Sequence, residues 1–190
     1  MADEHRKAAT HRAFGLTWAM PLEFPPYAEV DEAVEADVEV VEGPVPRPSD
    51  RANWAGPLRA VEGGSVTFGM WGAARMHISG GTHIVFQRND DWTPEALRLL
   101  LMGPGAALIL HQRGMLPLHG SGIVTDCGAV LVVGHSGAGK SSILGAFMER
   151  GFPVLCDDLA AVSLDPTGVP LVHPGSQVMK LWADSAESLG

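Results

Sequence analysis

Three groups of residues in the second half of the chain have the types and spacing to do chemistry. Gly134-His135-Ser136-Gly137-Ala138-Gly139-Lys140-Ser141 fits G-x-x-x-x-G-K-[ST] in full. Glycines at these places let the backbone curl so that successive N–H groups converge on phosphate oxygens. Lys140 would reach the β and γ phosphates, and Ser141 would ligate Mg²⁺. A helix beginning at Lys140, with Ser141 and Ser142 in its first turn, adds its positive end. Gly134–Ser142 is therefore expected to bind a nucleoside triphosphate. The second group is Asp157-Asp158, 17 residues beyond Lys140 and at the end of the apolar run Pro153-Val154-Leu155-Cys156. Ligands of open α/β sheets collect at the carboxyl ends of strands. One of the two carboxylates there could hold Mg²⁺ while the other takes a proton from an attacking hydroxyl. The third group is His119 in Leu118-His119-Gly120-Ser121. A hairpin through Asp126-Cys127-Gly128 would bring it to the sheet end that holds the phosphates, where an Asp carboxylate is its natural partner.

These residues need particular elements to position them. Ala129–Val133 reads as a buried strand and Lys140–Arg150 as a helix closed by Gly151, the strand–loop–helix context that a phosphate-binding loop requires. Val154–Asp157 reads as the next strand, expected to lie beside the loop strand, followed by Ala160–Leu164, a turn at Asp165-Pro166-Thr167-Gly168, and Val169–Val172. Upstream, Leu118–Val124 is a strand. A helix starts at Thr93-Pro94, runs on through Ala96–Met102 and is broken by Gly103-Pro104-Gly105; a second helix, Ala106–Arg113, ends at Gly114. The alternation predicts an α/β layer with a largely buried sheet.

The first half differs in character. Pro21, Pro25, Pro26, Pro44, Pro46, Pro48 and Pro57 make residues 1–60 loop-rich, with one strand-like stretch at Asp37–Glu42. The acids of Glu29–Glu39 read as a solvated face. Val66–Trp71, Ala74–Ile78 and Thr82–Phe86, separated by Gly72 and by Gly80-Gly81, predict a meander of antiparallel strands, with His77 and His83 as ordinary strand residues. The expected division is a β-rich part at 1–92 and a catalytic part at 93–190 that ends in an amphipathic helical stretch, Ser176–Leu189.

Composition narrows the classes further. In 190 residues there are 13 Lys and Arg against 22 Asp and Glu, a net charge of −9, and 46% are hydrophobic. Disorder of the whole chain is excluded, and nonspecific nucleic-acid binding is disfavoured because too few cations face the phosphates. Two cysteines, Cys127 and Cys156, make neither a zinc spacing nor a disulfide framework. No apolar run is long enough to cross a bilayer, and no secretory h-region follows Met1, so a soluble, cytoplasmic protein without membrane partners is expected.

Taken together, Leu118-His119-Gly120, Gly134–Ser141 and Arg150-Gly151-Phe152-Pro153-Val154-Leu155-Cys156-Asp157-Asp158 resemble the catalytic domain of the HPr kinase/phosphorylase family. The resemblance covers about residues 116–182. It implies a P-loop sheet of the HPr kinase/PEP carboxykinase type, ATP and Mg²⁺ as cofactors, Asp157 as the base that deprotonates an acceptor hydroxyl, His119 as its partner, and Asp158 in Mg²⁺ binding. The first half is more similar to the HPr-kinase-like proteins found with lasso peptide biosynthesis genes, through Phe14-Gly15-Leu16, His111-Gln112-Arg113-Gly114, His173-Pro174-Gly175 and Lys180-Leu181-Trp182. Members phosphorylate a serine hydroxyl at the C-terminus of a precursor peptide. HPr enzymes also assemble as oligomers, so the resemblance implies self-association.

The HPr enzymes continue well past the equivalent of Gly190. The chain is thus expected to be a shortened form or to build its acceptor site differently, which makes a peptide a better acceptor than HPr itself. The alternatives are an HPr-type serine kinase/phosphorylase, a nucleotide-hydrolysing switch, and a binding module without phosphotransfer.

Overall fold

The computed structural model describes residues 9–21, 28–30, 34–47, 53–54, 59–70, 73–135 and 137–175. The stretch Ser176–Leu189, Lys180-Leu181-Trp182 and Ser136 of the glycine-rich loop lie outside them. Mixed α/β architecture is present, rich in strands, and the chain divides into two compact units. One comprises residues 1–12 and 16–114, the other 13–15 and 115–190.

In the first unit, nine described strands form one sheet: β1 (Ala9–Ala13), β2 (Leu16–Met20), β3 (Ala28–Glu29), β4 (Val38–Glu42), β5 (Asn53–Trp54), β6 (Arg59–Glu62), β7 (Ser65–Gly69), β8 (Ala74–Ser79) and β9 (His83–Arg88). Their order is β3-β1-β2-β4-β9-β8-β7-β6-β5. The expected meander is the antiparallel run β7-β8-β9. Val66 and Phe68, then Met76 and Ile78, then Ile84 and Phe86 alternate into the core, as a half-buried strand's period of two requires. The sheet extends further than the proline-rich first 60 residues suggest, because β4 joins β9 and β2 by parallel pairing.

Helix α1 (Pro94–Leu100) begins as its sequence dictates, with the Thr93 hydroxyl accepting the Ala96 N–H at 3.1 Å and Pro94 in the first turn. The expected break at Gly103-Pro104-Gly105 does not occur. Leu101–Gly105 instead forms a π-helical turn that runs straight into α2 (Ala106–Gln112). Its wider hydrogen-bonding period accommodates Pro104, which has no N–H to donate. Both helices belong to the first unit rather than to the part that follows residue 92. The reason is visible at the end of α2: Gln112 accepts the Gly81 N–H at 2.8 Å and donates to the Gly64 carbonyl at 2.9 Å, tying the helix to two turns of the sheet.

The second unit is built on β10 (Leu116–Thr125). Along one edge, residues 120–125 pair with β11 (Gly128–Val133). The expectation of a buried loop strand in a largely buried sheet is corrected: β11 stands at the end of the strand order, and none of its residues is buried, with Val130 and Val133 43% and 57% exposed. Along the other, Gly122 and Ile123 pair with β12 (Val154–Cys156), and residues 116–119 pair with β13 (Leu159–Leu164), which in turn pairs with β14 (Pro170–His173). Every pairing is antiparallel. Helix α3 (Lys140–Met148) connects β11 to β12. The expectation that β12 lies beside the loop strand is corrected here: β10 stands between them, because α3 carries the chain across one strand before returning it. The turn at Asp165 forms as its residues predict, with the Asp165 carboxylate accepting the Thr167 hydroxyl and the Thr167 and Val169 N–H groups at 2.7–2.9 Å. These bonds, the Thr167 hydroxyl foremost, hold its pKa below the usual value.

Close approach of β10 and β11 explains one glycine. A Cβ on Gly120 would lie 2.8 Å from the Val132 carbonyl oxygen and 2.9 Å from Val133 Cγ1. Gly120→Ala is therefore expected to push these backbones apart and destabilise the protein by about 1–3 kcal/mol, read as a lower urea midpoint.

Candidate active site

The glycine-rich loop lies in the six residues between the end of β11 at Val133 and the start of α3 at Lys140. Gly137 and Gly139 have φ of +80° and +82°, a region only glycine enters freely. The Ala138 N–H donates to the His135 carbonyl at 3.1 Å, and the Ile143 N–H to the Gly139 carbonyl at 2.9 Å, which opens the helix. Lys140 is only 8% exposed. Its ammonium turns back across the loop and donates to the carbonyls of Gly134 at 2.9 Å and His135 at 3.0 Å. Gly134, His135, Gly137, Ala138 and Ser142 are exposed, and Gly139 and Ser141 half-buried. A buried cation thus sits at the mouth of a loop whose backbone is open to solvent.

Across β10 lies the carboxylate pair. The chain bends between β12 and β13 by a γ-turn in which the Leu159 N–H bonds the Asp157 carbonyl at 3.0 Å and Asp158 takes φ of +75°. Positive φ at a non-glycine residue stores strain of about 1–3 kcal/mol and persists only where neighbours hold it. Here β10 supplies the restraint. The Asp158 carbonyl accepts the Gly120 N–H at 3.3 Å and lies 2.9 Å from His119 Nδ1. The same nitrogen is 3.2 Å from the Asp158 carboxylate. Ser121, 1% exposed, donates its hydroxyl to Asp157 Oδ1 at 2.7 Å, and Asp157 is itself 5% exposed.

The expected residues therefore come together in a different pairing. His119 rests on Asp158, and the hydroxyl that reaches Asp157 is that of Ser121. The motif Leu118-His119-Gly120-Ser121 by itself assigns Ser121 no role. Its only sequence signal is period two: residues 119 and 121 share one face of a strand, so a His directed at one acid places a Ser near the other.

Register places the two halves of the site at one level. Gly120 faces Val133, the last residue before the glycine-rich loop. Asp157 and Asp158 fall between the pairs Gly122–Cys156 and His119–Leu159. With one strand between them, the loop's root and the acids are roughly 10 Å apart, twice the interstrand spacing.

Next to the acids, Cys156 is buried, and burial first, the Asp157 charge second, push its thiol up from the usual 9.0 to about 11. Cys127 is exposed. Thiol titration at pH 8 is expected to find one fast group in the native protein and two after denaturation. Because the folded pKa is raised, Cys156 contributes stability fully below about pH 9 that is lost as pH rises towards 11.

No described helix is long and apolar enough to cross a membrane. Among the described residues there is no cluster of three or more His, Cys, Asp and Glu that could hold a metal. No family model, curated protein or solved structure matches the chain.

Proposed function

We propose that the second unit is a Mg·ATP-dependent kinase of the HPr-kinase-like kind, transferring the γ-phosphate to a serine hydroxyl of a peptide. The observation that carries this reading is the placement of Asp157-Asp158 level with the root of the glycine-rich loop, one strand away. A loop that binds phosphates would direct its terminal phosphate outward from β11, and roughly 10 Å is a distance that a triphosphate tail and an acceptor hydroxyl can fill.

In this mechanism the loop amides and Lys140 hold the β and γ phosphates and stabilise the charge that spreads over the transferring group. Asp157 accepts the serine proton as the serine oxygen bonds to the γ phosphorus; the bond to the β–γ bridging oxygen breaks, and its electron pair leaves with ADP. Ser121 fixes the Asp157 carboxylate through Oδ1, and His119 steadies Asp158. Ser141 and Asp158 offer hydroxyl and carboxylate oxygens, the hard donors that suit Mg²⁺, which would neutralise phosphate charge when bound. Two protein donors are in keeping with a cation held mainly by nucleotide phosphates and water.

A C-terminal serine of a lasso-type precursor is the acceptor this reading favours, in a cytoplasmic setting. Intact-mass spectrometry after incubation with Mg·ATP and a synthetic peptide ending in serine tests it. A gain of one phosphate on the peptide supports the kinase; phosphate release without peptide modification would replace it with a nucleotide-hydrolysing switch.

A further inference from the structure

The strained Asp157–Asp158 turn is held on its inner side by β10, and its outer side is held from the far end of the chain. Between β1 and β2 the backbone reverses over Phe14 and Gly15, with φ of +59° and +76°. Both residues group with the second unit. The Phe14 N–H donates to the Pro174 carbonyl at 2.7 Å. Phe14 is 1% exposed, and its ring edge lies against Gly175: a Cβ there would be 2.8 Å from Phe14 Cε1, 2.9 Å from the Leu159 carbonyl and 3.3 Å from Cys156 Cβ. The Gly175 N–H in turn donates to the Leu155 carbonyl at 3.1 Å. Gly175 therefore touches backbone or Cβ on both flanks of the two acids and is itself covered by Phe14. Gly15 has the same intimacy with His173, whose Nδ1 would be 2.4 Å from an added Cβ and whose Nε2 is 2.7 Å from the Ser163 hydroxyl.

We propose that Phe14 and Gly15 are positioning residues for Asp157 and Asp158: the hairpin tip braces Pro174-Gly175, and Gly175 holds the backbone on either side of the carboxylates. The role in catalysis rests on the kinase reading above; the brace itself does not. A shift of about 1 Å in a catalytic group can lower a rate by roughly 10²-fold, so a residue that never meets substrate can govern turnover.

Amide hydrogen exchange and phosphotransfer on the full chain test this together. In Phe14→Ala the Leu159 and Gly120 amides, which bond the Asp157 and Asp158 carbonyls, are expected to exchange at least about tenfold faster, while amides pairing β10 with β11 keep their protection. Phosphate transfer from Mg·ATP to the serine-ending peptide falls about 10²-fold in kcat, with KM for Mg·ATP within about twofold because the glycine-rich loop is untouched. Phe14→Leu keeps most of the apolar volume, folds, and shows the same effects in smaller measure; it decides the matter if Phe14→Ala does not fold. Wild-type exchange at Leu159 and Gly120 in a folded variant overturns the brace. If the wild-type protein transfers no phosphate but exchange still quickens at those amides in the variant, the kinase reading fails and the brace stands.

Discussion

Under the kinase proposal, Asp157→Asn is expected to leave nucleotide binding intact and to lower phosphate transfer by about 10²–10⁴, the usual contribution of a general base. The substitution is nearly isosteric, and the Ser121 hydroxyl, which donates to Oδ1 at 2.7 Å, can donate to an amide oxygen in the same place. The γ-turn and its contacts to β10 involve main-chain atoms of residues 157–159, so they survive as well. What is removed is the negative charge and the capacity to take a proton. Fluorescence titration with a nucleotide analogue, set beside single-turnover transfer to peptide, separates binding from chemistry. An Asp157→Asn protein that transfers phosphate at the wild-type rate would remove Asp157 from the base role.

Under the same proposal, Lys140→Ala is expected to weaken nucleotide binding and to lower turnover by at least about 10²–10³-fold. The ammonium is the single side-chain cation in the loop, held over it by the Gly134 and His135 carbonyls. Without it those carbonyls, both on exposed residues, pass to water, so the fold is expected to tolerate the change. A thermal midpoint within a few degrees of wild type, together with lost transfer and weaker nucleotide affinity, assigns the loss to chemistry. Normal transfer by this variant would disqualify the loop as the phosphate site.

Local signals were legible in the sequence. Gly134–Ser141 sits in one segment, and the strand before it and the helix after it appear at the expected places, with α3 stopping at Met148 instead of Arg150. Thr93-Pro94 marked a helix start because capping is settled within four residues. What escaped is what depends on distant partners. Phe14 at positive φ carries no turn signal, since asparagine or glycine is the usual occupant, and so the β1–β2 hairpin has no local signature in the sequence. The strand expected to end at Asp157 ends at Cys156, because the left-handed Asp158 is fixed by contacts with β10, not by its own preference. Strand order in the second unit departs from the expected one for a related reason: the length of α3 reports a crossover, but not how many strands it passes over.

The bond between Phe14 and Pro174 joins points about 160 residues apart in the chain. A contact between points so distant in sequence meets its loop-closure cost late, after local pairings such as that of β10 with β11 have formed. In refolding, the turn at Asp157 and Asp158 is therefore expected to reach its native protection after the β10–β11 ladder does.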